Sequence, residues 1–244
     1  MGDLTAAAVV IGNEILSGKV VDTNSHFLAT ELRSVGVSLQ RIAVVPDDLA
    51  QIGREVEVCR REYDLVFTSG GVGPTHDDIT IEGIARALGR RVVRHPVIEE
   101  KLRGFYGDKI NDARLKMAEI PEGAELITDV SLNFPTIKVE NIYILPGIPE
   151  IFQQKVASLK ARFAGVPYTL KVIYTSAGEG TIAEFLNETL RVFPELMLGS
   201  YPKIGHPEYA VRVTLESKDA RYVERAFEHL LHVLPAGSVV RTEG

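Results

Sequence analysis

The chain is 244 residues long, 45% hydrophobic and 25% charged, which suits one large or two small globular domains with a real core. A net charge of −6, with basic runs no longer than Arg60-Arg61 and Arg90-Arg91, argues against nucleic acid as a partner; the longest apolar stretch, Leu4 to Ile11, is too short to span a bilayer. The single cysteine, Cys59, excludes an intrachain disulfide, and Met1-Gly2-Asp3 lacks the basic start of a signal peptide, so a cytoplasmic protein is expected.

Residues 6–11 read as a first buried strand, ended by Gly12-Asn13-Glu14. A loop through Ser17-Gly18 and Asp22-Thr23-Asn24 leads into a helix whose stripe is Phe27, Leu28, Leu32 and Val35, stopped by Gly36. A strand over 37–45 closes at Pro46. Asp47 or Asp48 then caps a helix with Leu49, Ile52, Val56 and Cys59 on one face, which makes Cys59 a core residue rather than a nucleophile. Leu65-Val66-Phe67 is the next strand, and a helix over 80–88 ends at Gly89. Helical material over 96–117 carries Lys101, Arg103, Lys109, Arg114 and Lys116, which form either a solvated face or a lid over a phosphate. Strands at 137–139 and 142–145 lead through Pro146-Gly147-Ile148 to a helix that starts at Pro149.

Short apolar strands alternating with helices predict an α/β fold, a mostly parallel sheet flanked by helices. Gly165-Val166-Pro167 marks a boundary, giving domains over 1–165 and 166–244. Beyond it the order strand, helix, strand, strand, helix, strand is the ferredoxin-like βαββαβ pattern of a small α+β domain.

The most informative segment lies between the third strand and its helix: Ser69-Gly70-Gly71-Val72-Gly73-Pro74-Thr75, then His76, Asp77 and Asp78. Glycines let the backbone turn tightly and approach a ligand, and Thr80 reads as the N-cap of a helix whose free N–H groups suit an anion. Carboxylates beside a phosphate require a cation between them, so Asp77 and Asp78 point to phosphate plus metal. There is no Gly-Lys-Ser/Thr ending and no Gly-x-Gly-x-x-Gly spacing, which sets aside both common nucleotide loops. Ligands in parallel sheets bind at the carboxyl ends of strands, where Asn13-Glu14 and Asp47 also fall. Asn13, Asp22 and Asn24 suit ligand contacts and Asx-turns equally. His76 and His206 read as exposed loop residues.

These motifs resemble the molybdopterin-binding, MoaB/Mog-like domain family, in Gly70-Gly71-Val72-Gly73 followed by Asp78-Ile79-Thr80. The closer resemblance is to its CinA-type amino-terminal branch, carried also by Ile11-Gly12-Asn13-Glu14-Ile15-Leu16-Ser17-Gly18, Asp22-Thr23-Asn24 and Leu145-Pro146-Gly147-Ile148-Pro149. Gly199-Ser200-Tyr201-Pro202 with residues 209–217 is similar to the extension of archaeal relatives, also found before the synthetase part of eukaryotic FAD synthases. The resemblance implies an acidic pair, Asp47 and Asp78, as catalytic residues, with Asp77 beside them as a metal ligand. It implies a divalent metal (Mg²⁺, Mn²⁺ or Co²⁺) and hydrolysis of ADP-ribose or a related dinucleotide such as FAD at the diphosphate. A non-catalytic pterin-phosphate binder linked to molybdenum cofactor metabolism is the alternative. Ligand contacts are expected from Ser69 to Thr75, Thr80, Asn13, Glu14, Asp22, Asn24, Pro146 and Gly147, and a homo-oligomer, dimer or trimer, from family habit. Ser131-Leu132-Asn133-Phe134-Pro135 departs from the Gly-Thr-Ala-Pro-Gly loop of the CinA branch. With its end at Gly244, neither the deamidase nor the synthetase activity of longer relatives is expected.

Overall fold

A computed structural model describes residues 4–244, which form two compact units dividing between Gly165 and Val166. The first begins with β1 (Thr5–Ile11), α1 (Asn13–Leu16), α2 (Asn24–Ser34), β2 (Ser38–Val45), α3 (Leu49–Glu62), β3 (Leu65–Ser69) and α4 (Thr80–Ala87). It continues with β4 (Val92–Arg94), α5 (Pro96–Tyr106), α6 (Asp112–Lys116), β5 (Glu119–Pro121), β6 (Glu125–Ile127), β7 (Thr136–Val139), β8 (Ile142–Leu145) and α7 (Pro149–Lys160). Its main sheet has the order β2-β1-β3-β8-β7-β6, parallel through β8 and antiparallel beyond.

β1 is central because it is apolar on both faces. Ala6 and Ala8 join a core with Leu28, Leu32, Phe152 and Val156 from α2 and α7. Ala7, Val9 and Ile11 join the opposite core with Ile52, Val56 and Cys59 of α3 and Ile84 of α4. A continuous rather than alternating apolar run is what a strand covered on both sides requires. Burial pushes the Cys59 thiol up to about 12, consistent with packing rather than reactivity.

Three strands, β4, β5 and β6, lie where the sequence gives no strand pattern. Each is three residues long, below the length at which alternation can be read. β4 and β5 pair antiparallel as a separate ribbon that brackets α5 and α6, so the 96–117 segment is an insertion with its own small core of Ile98, Leu102, Ala118 and Ile120.

The second unit is β9 (Thr169–Thr175), α8 (Glu179–Val192), β10 (Met197–Pro202), β11 (Val211–Ser217), α9 (Ala220–Val233) and β12 (Val239–Glu243). Its sheet, β10-β11-β9-β12, is antiparallel throughout, which is the ferredoxin-like arrangement. Ile173, Val213 and Leu215 pack under Ile182, Leu186, Val223 and Leu230 of the two helices. Among the described residues no helix is long and apolar enough to cross a membrane.

Candidate functional site

The glycine loop leaves β3 at its carboxyl end and is shaped by two glycines with positive φ, Gly70 at 103° and Gly71 at 66°. Neither position admits a side chain. A Cβ on Gly70 would lie 2.3 Å from the Ile11 carbonyl oxygen, and one on Gly71 would lie 2.2 Å from Thr80 Oγ1. The loop is therefore pressed against the end of β1 on one side and the start of α4 on the other.

Thr80 does not cap α4. Ile79 is the N-cap residue and has no side-chain cap bond, whereas Thr80 is the first helical residue and is fully buried. Its hydroxyl donates to the Gly70 carbonyl at 2.9 Å, and its N–H donates to the Gly71 carbonyl at 3.0 Å. It braces the loop from behind, and with its hydroxyl spent and no exposed surface it is not placed to touch a ligand. The sequence reading erred because a threonine before an apolar stripe satisfies cap statistics even when the turn needs its hydroxyl one residue later.

Asp78 folds back over the loop. Its Oδ2 accepts from Thr75 N at 2.8 Å and from Thr75 Oγ1 at 2.5 Å, and a Cβ on Gly73 would lie 2.6 Å from the same oxygen. Asp77 is exposed beside it, with His76 Nδ1 4.0 Å from its Oδ1. His76 is an exposed loop residue.

The two readings of Asp47 and Asp48 separate cleanly. Asp48 is the N-cap of α3 and accepts from Gln51 N at 2.9 Å. Asp47 is free of that work, and its Oδ2 accepts from Asn13 N at 2.9 Å, tying the end of β2 to the turn after β1. Glu14 is exposed in that turn, its carboxylate over Gly12. Asn13, Asp47 and the glycine loop thus follow three adjacent strands, β1, β2 and β3, at their carboxyl ends.

Other expected ligand residues prove to be supports. Asp22 Oδ1 accepts from Ser25 N at 3.0 Å and so serves the start of α2. Asn24 is 5% exposed, and its Nδ2 donates to Ser69 Oγ and to the Gly147 carbonyl, both at 2.9 Å. That single amide locks the end of β3 to the Pro146-Gly147 turn, while its Oδ1 has no hydrogen-bond partner among the described residues. Gly147 backs directly on Gly70, since a Cβ there would lie 3.3 Å from Gly70 Cα.

A cleft of about 280 Å³ opens from the loop, lined by Gly71, Val72, Gly73 and Asp78, by Ile81 and Glu82 of α4, by Val92 and Glu119 of the ribbon, and by Lys116, Met117 and Ile137. Everything from Val92 onward is absent from the sequence expectation apart from Lys116. Of the five basic residues over 96–117, Lys116 is the one that reaches the loop, its Nζ donating to the Thr75 carbonyl at 2.7 Å. Arg103 pairs with Glu99 on its own helix, and Arg114 lies over the Tyr106 ring and donates to the Lys109 carbonyl. Arg103 is exposed, as a solvated face requires, whereas Arg114 is half-buried against Tyr106 and Lys116 contacts the glycine loop.

No group of three or more His, Cys, Asp or Glu side chains able to hold a metal ion occurs among the described residues. The carboxylates near the strand ends are Asp77 and Asp78 on the glycine loop and Asp47 after β2.

Fold and site together define an α/β domain whose glycine loop, Asn13 and Asp47 lie at the carboxyl ends of its parallel strands, followed by a ferredoxin-like domain. Residues 7–163 match the family described as "Probable molybdopterin binding domain", and residues 167–243 match "FAD synthase, middle domain". The chain belongs to the first family. It is 35% identical to a protein of Archaeoglobus fulgidus over 92% of this chain and 96% of that one. It is 31% identical to a "Probable FAD synthase" of Caenorhabditis elegans over 97% of this chain and 51% of the relative, so it spans about half the length of that relative. The crystal structure of the protein CinA from Thermoplasma acidophilum is similar over 66% of this chain and 98% of its own length, at 33% identity and a TM-score of 0.61.

Proposed function

We propose that the first unit is a metal-dependent nucleotide pyrophosphatase that cleaves ADP-ribose or a related dinucleotide such as FAD at its diphosphate. The observation that carries this reading is the coupling of the glycine loop to Asp78. The glycine turn that would seat a phosphate is the same turn whose Thr75 orients the neighbouring carboxylate. Recurrence of both units in a probable FAD synthase supports a flavin or adenine dinucleotide as ligand class.

The donor chemistry fits a hard divalent ion. Asp47 and Asp78 belong to no group of three or more metal-ligating side chains among the described residues, and magnesium sites commonly use one or two carboxylates with the rest of the shell from water and substrate phosphate. Asp78 and Asp47 would hold the ion, with Asp77 at the rim. When bound, such an ion neutralises phosphate charge and lowers the pKa of its water. The chain's own residues do the rest. Gly71 to Gly73 seat the diphosphate, Thr80 and Asn24 keep that seat rigid, and Asp47 and Asp78 accept hydrogen bonds from an attacking water. Hydrolysis joins the water oxygen to one phosphorus, breaks the bridging P–O bond and leaves a phosphate monoester on each product.

The matched family description favours a second reading, binding of a phosphorylated pterin without turnover. Purified protein incubated with ADP-ribose or FAD and Mg²⁺, Mn²⁺ or Co²⁺ separates the two. Release of AMP supports hydrolysis, while absence of AMP with every metal, together with tight pterin binding, rejects it.

A further inference from the structure

The cleft beside the glycine loop is negatively charged where a phosphate would enter. Asp78, Glu82 and Glu119 line it, and Lys116 is its one cationic side chain among the described residues. A diphosphate brought onto Gly71 and Gly73 meets these carboxylates at close range, so charge must be offset by more than backbone N–H groups.

Within the inserted segment Arg103 pairs with Glu99 and Arg114 donates to the Lys109 carbonyl, both partners inside the segment, whereas Lys116 reaches out of it to the glycine loop. Lys116 Nζ is held at 2.7 Å by the carbonyl of Thr75, an exposed residue. A hydrogen bond to a neutral, water-accessible carbonyl is readily exchanged, whereas an ammonium–phosphate contact is the stronger, charge-assisted kind. The lysine is the last residue of α6, three residues before β5, and it lines the cleft together with Glu119.

We propose that Lys116 is a phosphate-binding residue of this site, exchanging the Thr75 carbonyl for an oxygen of the ligand's diphosphate when the loop is occupied. The inference rests on the glycine loop being a diphosphate seat and deepens that reading. The inserted segment supplies a cation of its own to the site. Because Thr75 also orients Asp78, release of its carbonyl couples diphosphate arrival to the carboxylate.

The test is equilibrium binding of ADP-ribose, inorganic pyrophosphate and adenosine to the full chain and to Lys116→Met and Lys116→Arg, at two salt concentrations with Ca²⁺ in place of the metals tested for turnover and the ligand checked to remain intact. Lys116→Met is expected to bind ADP-ribose and pyrophosphate at least tenfold more weakly, with a shallower salt dependence and unchanged adenosine binding. Lys116→Arg is expected to stay within about threefold of the parent. Equal binding of ADP-ribose by the parent and Lys116→Met overturns the proposal, as does a parallel loss of adenosine binding, which marks a merely structural strap. A Lys116→Met chain with a lowered melting temperature is judged on Lys116→Arg and on the adenosine control. Parent protein that binds ADP-ribose through Lys116 but releases no AMP with Mg²⁺, Mn²⁺ or Co²⁺ removes the pyrophosphatase reading and leaves this one standing. Parent protein that binds neither phosphate compound removes both.

Discussion

Gly70→Ala is the substitution for which the structure makes the sharpest quantitative demand. The backbone there has φ of 103°, and the added methyl would stand 2.3 Å from the Ile11 carbonyl oxygen, an atom at the end of the buried central strand. Gly89→Ala is the matched control. Its φ is 62°, also left-handed, but nothing lies within 4 Å of the added Cβ. The control carries only the left-handed penalty of about 1 kcal/mol. Gly70→Ala adds a forced backbone shift, an overpacking cost of about 1–3 kcal/mol, for a total of about 2–4 kcal/mol. In a unit of this size 1 kcal/mol moves the melting temperature by about 2–4 °C, so scanning calorimetry should place Gly70→Ala roughly 4–16 °C below the parent and Gly89→Ala about 2–4 °C below. Equal shifts for the two variants would refute the claim that the loop is clamped against β1.

Two further perturbations separate roles that lie close together in the fold. Asp48→Ala removes the α3 cap and should cost about 1 kcal/mol in denaturant unfolding with AMP release unchanged, whereas Asp47→Asn should leave stability nearly intact and reduce AMP release at least tenfold. The opposite pattern would reverse the assignment. Lys155 is buried against the carbonyls of Phe134 and Pro135 at 3.0 and 2.8 Å, and burial pulls its ammonium down to about 8. Between that value and the ordinary lysine value the unfolded chain binds more protons, so this group makes stability rise with pH from about 8 to about 10. The parent should gain up to about 3 kcal/mol on Lys155→Met across that window, and parallel stability curves would contradict it.

The sequence revealed elements that carry their own pattern and hid those defined by distant partners. β1 is readable because six consecutive apolar residues suffice, and α3 because Ile52, Val56 and Cys59 repeat at helical spacing. β4, β5 and β6 exist only because pairing stabilises three-residue segments, so no local pattern marks them. The site divides the same way. The glycine loop and Asp78 are contiguous, and a run of residues announces them. Lys116 lies 41 positions from Thr75, and nothing local distinguishes it from Arg114 or Lys109. Asn24 and Thr80 carried the right chemistry for ligand contacts, yet the fold uses both as braces, since a polar side chain at a strand end satisfies either a ligand or a neighbouring backbone.

The measurement that bears most directly on the central claim is AMP release from ADP-ribose in Mg²⁺ by the parent chain and by Asp78→Asn, with a chelator control. Asparagine retains an oxygen for Thr75 but loses the charge that would hold a cation, so the loop should keep its shape while turnover falls. The account predicts AMP from the parent, none with chelator, and at least a hundredfold loss in Asp78→Asn at an unchanged melting temperature. Full activity in Asp78→Asn, or no AMP from the parent with any divalent metal, would contradict it.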